Sequence, residues 1–278
     1  MDTATHMLRT GRRGPLFEAQ MAFRDLRASA ERLDLAWSLA WHDVVSRYRG
    51  SILGPFWITL SMGVMVVGIG VLWGGLFRVP IHSFIPPVAI GIVFFGVVTS
   101  TINEGCDTFV QAAGMLSQTS LPMFTFVWRT VLRNLINLGH HIAIVAGVLV
   151  YGELWNHANY AGAALGLIFM VINVAWVSML VAVISARFRD IPQAVASVTQ
   201  AAAIMTPVFW PADRIPADYR WILDVNPFYH LLEAVRAPLL GQAVAPHTYL
   251  VLAAMAAGGW ALTFTLFART RRRIVHYL

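Results

Sequence analysis

Long apolar runs joined by short polar connections dominate this chain. Six of these runs are close to the roughly 20 residues that a transmembrane helix needs. The pattern therefore predicts an all-α integral membrane protein, and an even number of spans places both termini on one side of the membrane. The predicted spans are residues 52–77, 86–103, 131–151, 161–184, 191–210 and 250–268.

A helical pattern with a tryptophan-rich face precedes the first span. Within residues 35–49, Trp37 and Trp41 lie on the same face of the predicted helix. This arrangement predicts an N-terminal amphipathic helix that lies in the membrane interface. Residues 17–33 predict a second, charged helix, and residues 1–14 have the composition of a disordered tail. The plainer alternative is that both helices only anchor the chain.

The segment between the fifth and sixth spans, about residues 211–241, is rich in proline and has apolar patterns too short to cross a membrane. Asn226 and Pro227 predict the start of a helix and Gly241 its end. That helix is roughly 20 Å long, against about 30 Å of hydrocarbon. Together with residues 215–223 it predicts a re-entrant pair of short helices beside a hydrated lumen. An ordinary amphipathic external loop is the alternative. Opposite the apolar positions of the longer helix lie His230, Glu233 and Arg236.

Composition agrees with a membrane protein, since 58% of residues are hydrophobic, 12% are charged and the mean hydropathy is +0.64. All 20 basic residues are arginines, and about 16 of them fall on the side of the termini. The positive-inside rule therefore places both termini in the cytoplasm and the proline-rich segment outside. The net charge of +6 suits an anionic lipid surface, and nothing in the pattern calls for nucleic acid.

The absence of lysine excludes one way of using ATP. A Walker loop needs a lysine to neutralise the nucleotide phosphates, so this chain cannot carry that site. If ATP drives its function, ATP and magnesium bind to a separate subunit. We therefore expect no cofactor on this chain.

No catalytic or metal centre is recognisable in the sequence. The single cysteine, Cys106, excludes an internal disulfide. His140 and His141 are adjacent and would point about 100° apart on a helix, so they do not form a metal site by themselves. A membrane-embedded transferase using His140, His141 or Glu104 remains the alternative from another functional class.

The connection at about residues 105–130 has an unusual composition. It contains a polar stretch at 114–120, which predicts a turn between two helix ends, followed by Pro122. A short exposed elbow of this kind fits a groove on a partner protein. A simple helical hairpin is the equal alternative.

Aromatic residues are plentiful in the predicted spans, whereas ionisable residues are scarce at their centres, which argues against a proton-coupled carrier. Aromatic rings can stack on the apolar faces of sugars and so can line a conduit, although belts facing lipid and core packing are the alternative. The candidate conduit residues are Trp57, Trp73, Phe77, Phe94, Trp176, Phe209, Trp210 and Tyr229.

Four local patterns occur in a specific order relative to the predicted spans: RYRGSILGPFW at 47–57, RFRDI at 187–191, TPVFW at 206–210, and Asn226-Pro227 leading to Glu233 and Arg236. Together they make the chain, from about residue 35 onward, resemble the membrane permease of bacterial ABC exporters of polysaccharides. The resemblance implies a cytoplasmic region at 1–50, a membrane domain at 51–268 and a basic cytoplasmic tail at 269–278. It also implies a location in the bacterial inner membrane.

The resemblance implies that two copies of this chain form a channel with two copies of an ABC ATPase, for a glycan on a polyprenyl diphosphate. The external gate would consist of helices at 213–223 and 228–240, with Asn226, Pro227, Glu233 and Arg236. A small hydrophobic drug or lipid is the alternative cargo. Two features depart from the family pattern, namely the long extension before Leu35 and the pair His42-Asp43 where a more basic pair is expected. The residues expected to contact the ATPase are Trp41, Asp43, Arg47, Arg49, Met115, Ser117 and Gln118.

Overall fold

The computed structural model describes residues 14–210, 212 and 215–278, with only the backbone described at Pro15 and Phe77. Within these ranges the chain is all-helical and contains no strand, which confirms the all-α part of the predicted fold class. The predicted disorder of residues 1–14 falls almost wholly outside the described residues. The helices are α1 (Pro15–Ala30), α2 (Leu33–Arg47), α3 (Phe56–Phe77), α4 (Ile81–Gln118), α5 (Phe124–Tyr151), α6 (Tyr160–Ser185), α7 (Ile191–Met205), α8 (Trp221–Asp224), α9 (Pro227–Leu239) and α10 (Pro246–Tyr277).

Five of the described helices, α3, α4, α5, α6 and α10, are long and apolar enough to cross a membrane. The predicted fifth span at 191–210 is instead the 15-residue helix α7, which is about 22 Å long. It stops because Pro207 cannot continue the hydrogen-bond ladder and forces Thr206 into extended backbone, with ψ at 136°. The arrangement of six spans therefore stays a prediction.

The helices extend beyond the predicted spans, because the apolar pattern marks a membrane-length core and not the ends of a helix. Helix α4 starts before Pro86 and continues through the stretch 114–118 that was predicted as a turn, so the elbow is only residues 119–123. Helix α5 begins at Phe124, and α10 continues through the predicted tail at 269–278. Polar and charged residues extend these helices beyond the membrane-length core.

Helix α4 is the central element of the bundle. Its 38 residues make it about 57 Å long, and it packs against α3, α5, α6, α7 and α9. Small residues allow close contacts along it: a Cβ on Gly105 would lie 2.9 Å from the Cα of Ser178 in α6. By contrast, α3 is apolar all round, yet only 11% of its most apolar window is buried within the chain. Its exposed surface therefore faces lipid or another protein.

Helix α9 is wedged among α6, α4 and α10. The opposite face that was expected to be polar is also buried, since His230 is 0% and Arg236 6% exposed. The backbones of α9 and α6 approach so closely that a Cβ on Gly166 would overlap the carbonyl oxygen of Ala234. The predicted helix at 213–223 was wrong in extent, because a 3-10 turn at Ala217–Tyr219 and the short α8 occupy its described part. Asp213 and Arg214 lie outside the described residues.

The extension before Leu35 forms a docked helix. The carboxylate of Asp25 in α1 accepts the backbone N–H groups of Met123 and Phe124, both at 3.1 Å, and so caps the start of α5. It also pairs with Arg271 of α10 at 3.2 Å. We call the end of the bundle that carries α1, α2, the elbow 119–123 and the C-terminus of α10 the basic end, and the opposite end the α9 end.

Candidate functional site

A cleft with a mixed polar and apolar lining lies between α3 and α7, with α4 as its floor. Its volume is about 330 Å³. Asn103 of α4 donates a hydrogen bond to the hydroxyl of Thr199 in α7 at 3.1 Å, and this pair lies in the cleft wall. The apolar part is lined by Met62, Met65, Ile92, Phe95, Ala203 and Phe209, and the polar part by Thr99, Asn103, Thr199 and Gln200.

Of the predicted conduit residues, Phe209 lines this cleft. Trp57 is 48% exposed at the start of the neighbouring helix α3. The indole N–H of Trp210 donates to the carbonyl of Ile204 at 3.2 Å, which holds the ring against the end of α7. These three side chains belong to the helices that border the cleft or to the segment that directly follows α7.

The other predicted conduit residues lie elsewhere. Phe94 is buried and lines a separate apolar cavity of about 300 Å³ between α4, α5, α6 and α9. Trp73 packs against the main core, and Tyr229 is half-buried on α9. The side chain of Phe77 lies outside the described part of the chain. Phe94, Trp73 and Tyr229 do not line the cleft.

Trp176 has a packing role that its sequence position did not reveal. Its ring lies against Gly259 of α10, where a Cβ would overlap it. Its indole N–H donates to the side chain of Asn173 at 3.0 Å, and Asn173 in turn donates to the carbonyl of Leu252 in α10 at 3.2 Å. Trp176 therefore joins α6 to α10.

Two polar side chains of the α9 segment hold the end of α7. Asn226 caps α9, as predicted, by accepting the N–H groups of Phe228 and Tyr229 at 3.0 and 3.3 Å. Its amide N–H donates to the hydroxyl of Thr206 at 3.0 Å. The segment that follows α7 is thus tied to the start of α9.

Arg236 provides the second tie. Its guanidinium donates to the carbonyl of Pro207 and pairs with Glu233 at 2.7 Å. Close packing supports this contact, because a Cβ on Gly91 of α4 would lie 3.0 Å from the carbonyl oxygen of Val208. Arg236 and Asn226 therefore fix α9, α4 and the border of the cleft as one unit.

At the basic end, Asp43 joins α2 to α5. Its carboxylate accepts two hydrogen bonds from Arg129 at 2.7 and 2.6 Å, and one from Arg133 at 3.0 Å. Arg133 also pairs with Glu104 of α4 at 2.7 Å. Burial raises the pKa of Asp43, but the hydrogen bonds and charges of Arg129 and Arg133 outweigh it and hold that pKa below its ordinary value.

This network gives the carboxylate of Asp43 a partner within the chain, and the side chain of Asp43 is only 15% exposed. Its contact with an ATPase stays a prediction. Trp41, Arg47 and Arg49 remain exposed on or just after α2. On α4, Ser117 and Gln118 are exposed and Met115 is half-buried at the elbow. Both groups lie at the basic end.

Sequence reasoning missed the role of Asp25, because no local pattern pairs it with residues about 100 and 250 positions away. It also missed the Asn103–Thr199 pair, although two polar residues inside apolar runs were a usable signal. His140 and His141 diverge, since His140 bonds to the carbonyl of Ile136 at 2.9 Å and His141 points towards α4 and α3.

Comparisons with known proteins agree with this architecture. A family model described as ABC-2 type transporter matches residues 34–240. The O-antigen export system permease protein RfbA of Klebsiella pneumoniae is 23% identical over 195 residues, which cover 68% of this chain and 74% of that protein. The polysialic acid transport protein KpsM of Escherichia coli is 19% identical over 210 residues, 73% of this chain and 80% of that protein. An RfbA protein of Myxococcus xanthus is 23% identical over 206 residues, 72% and 78% of the two chains.

Proposed function

Because the chain belongs to the ABC-2 type transporter family, we propose that it is the permease subunit of an ATP-driven exporter that moves a lipid-linked polysaccharide outward across the bacterial inner membrane. Its relatives support a polysaccharide cargo, since their names describe O-antigen export and polysialic acid transport. The observation that carries the proposal is the cleft between α3 and α7. It combines polar groups that can hydrogen-bond a sugar with an aromatic ring, Phe209, that can stack on one.

We propose that the conduit is completed by a second copy of the chain. Helix α3 leaves most of its surface unburied, and α7 exposes Val198, Ile204 and Met205, at 61%, 72% and 58%. These surfaces flank the cleft, so two copies that pair along them enclose a path lined by both clefts. The short helices α8 and α9 support this proposal. Neither is long enough to span a membrane, and irregular backbone at membrane depth needs protein or water around it.

We place the basic end in the cytoplasm, with both termini, because arginines concentrate there. The partner ATPase, which supplies ATP and magnesium, docks at this end. Its contact surface comprises the elbow at 119–123, the exposed end of α4 and the exposed face of α2. The network of Asp43, Arg129 and Arg133 then transmits movement of α2 to α5, because it joins the two helices directly.

Deleting the gene tests the proposal. We expect polymer to accumulate inside the cell and to be lost from the surface, measured by labelling of surface polysaccharide with and without permeabilisation. Normal surface polymer in a strain without a paralogue would refute it. Loss of tolerance to a hydrophobic compound with normal polymer would instead favour a small hydrophobic cargo.

A second test addresses the conduit. Phe209→Ala should slow the appearance of surface polymer while polymer assembly continues, because it removes an aromatic ring from the cleft. Trp57→Ala should do the same, because it removes an exposed ring from α3, the helix that borders the cleft. Trp155→Ala is the matched control, since Trp155 is equally exposed but lies at the apolar cavity of Phe94. Unchanged export in both cleft variants would remove them from the path.

A further inference from the structure

A second, more polar cavity lies on the other side of α3, between α3, α4 and α5. Its volume is about 230 Å³. Helix α5 contributes Asn134, Asn137 and His141, which are spaced i, i+3 and i+7 and so share one face. Helix α4 contributes Ser100, and Arg47 and Tyr48 lie at the mouth, where α2 ends. We call this cavity the α3–α5 crevice.

The crevice contains polar groups that the chain itself does not use. His141 is 8% exposed, and its Nδ1 atom is buried with no hydrogen-bond partner. Within the described part of the chain, the side chains of Asn137 and Ser100 make no hydrogen bond, and the guanidinium of Arg47 pairs with no carboxylate. A buried polar atom without a partner is rare in proteins, most of all at membrane depth. His141 Nδ1 is such an atom, and Asn137, Ser100 and Arg47 add accessible donors to the same cavity, so the group points to a bound polar ligand.

The chemistry of the lining selects an anion. Arg47, Asn137, Tyr48, Ser100 and His141 all can donate hydrogen bonds, and no acidic residue lines the crevice. Asn134 of the lining donates to Glu104 outside the crevice, and that carboxylate also accepts from Arg133. Arginine with amide and hydroxyl donors is the combination that recognises phosphate oxygens.

The position of the crevice selects a lipid as the carrier of that phosphate. Its mouth is at the end of α2, whose exposed Trp37 and Trp41 are suited to the headgroup layer. Deeper in, Ile58, Met62, Val93 and Val97 give an apolar wall beside the donors. We propose that the α3–α5 crevice binds the phosphate of a membrane lipid, through Arg47, Asn137 and His141.

Two lipids carry this chemistry. One is an anionic phospholipid, and the other is the polyprenyl diphosphate of the cargo, which rests on the proposed function. Met62 and Gly96 line both the crevice and the cleft, so the two cavities share a wall. A lipid phosphate held in the crevice would therefore lie next to the proposed conduit.

Native mass spectrometry of the purified full-length protein tests the proposal with two matched ligand pairs. Undecaprenyl diphosphate is compared with undecaprenol, and phosphatidylglycerol with diacylglycerol. We expect the phosphate-bearing lipid of at least one pair to be retained, and its alcohol partner to be lost. The pair that shows the difference identifies the source. No preference for phosphate in either pair overturns the proposal.

Variants locate the site. Arg47→Gln and Asn137→Leu should each weaken retention about tenfold, because each removes a donor to a charged group. His141→Leu tests the third residue of the proposed site. Arg49→Gln is the control for charge beside the membrane, and His140→Leu is the control for His141→Leu. Equal loss in the controls overturns the proposal. Arg47 is exposed, so its variant tests the site even if the α5 variants fail to fold. Retention is measured without ATP or polymer, so its failure leaves the export proposal standing, and failed export leaves the binding result standing.

Discussion

Adding a single methyl group at Gly166 should separate α6 from α9, whose backbones are in direct contact there. A Cβ there would overlap the carbonyl group of Ala234 and lie 2.9 Å from the backbone nitrogen of Val235. Backbone atoms cannot rotate away as a side chain would, so α9 must shift relative to α6. Overpacking of this kind costs about 1–3 kcal/mol, and a helical alanine returns up to about 1 kcal/mol. With the full gain in helix propensity, we therefore expect a net loss of up to about 2 kcal/mol for Gly166→Ala.

Gly147→Ala in α5 is the matched control. No atom lies within 4 Å of a Cβ at Gly147, so this change should keep the gain in helix propensity and stabilise the protein slightly. Thermal unfolding of the purified protein, followed by intrinsic fluorescence, separates the two outcomes by sign. Gly166→Ala should unfold several degrees lower than the wild type. If the unfolding temperatures of both variants shift in the same direction, the contact between Gly166 and the backbone of α9 does not determine how closely α6 and α9 pack.

Three further changes follow from the polar contacts. Asp43→Asn should lower the free energy of unfolding by about 1.5–3 kcal/mol in chemical denaturation. Because the pKa of Asp43 is lowered in the folded state, its contribution to stability is complete above its ordinary pKa of 3.8 and is lost as the pH falls through the folded pKa, so the variant should lose less stability in acid than the wild type does. Asp25→Ala should release α1, measured as faster tryptic cleavage after Arg32, and unchanged cleavage would contradict the docking of α1. Arg236→Leu should cost about 3–5 kcal/mol because it leaves Glu233 unpaired, and adding Glu233→Gln should recover part of the loss.

The start of α9 was predictable because its signals are local. Asn226 and Pro227 form a cap that depends on adjacent residues only, and the structure confirms it. Its surroundings were not predictable, since the sequence does not show that Gly166, 60 positions earlier, leaves room for it. A polar face was therefore expected where His230 is fully buried, bonded to the carbonyl of Asp224 and near Thr248.

The ends of α7 and α10 were not predictable for a related reason. Apolar content continues from α7 into Val208, Phe209 and Trp210, so composition predicts one span across Pro207. The backbone effect of a proline on its predecessor decides the end of the helix, and it has no hydropathy signal. At the basic end, composition instead places the end of the span too early to mark the end of the helix. The arginines from Arg269 to Arg273 lower the apolar content, while α10 continues without a break.

The role of the predicted conduit residues stays a prediction, but their placement can be compared. Phe209 lines the cleft, Trp57 lies on the helix that borders it and Trp210 follows Phe209, whereas Phe94 and Trp176 pack elsewhere. Aromatic residues serve cores, lipid belts and sugar sites equally well, so their identity alone does not choose among these environments. The choice depends on which helices meet, and this is set by glycines such as Gly259 that carry no chemical signal of function.

The pair formed by Asp25 and Arg271 joins residues that are 246 positions apart. During synthesis, α1 leaves the ribosome well before its ion partner Arg271 is made. The cap on α5 therefore gains all its partners only after the helices between them have been made. A chain that stalls before Arg271 holds α1 through the backbone contacts of Asp25 alone.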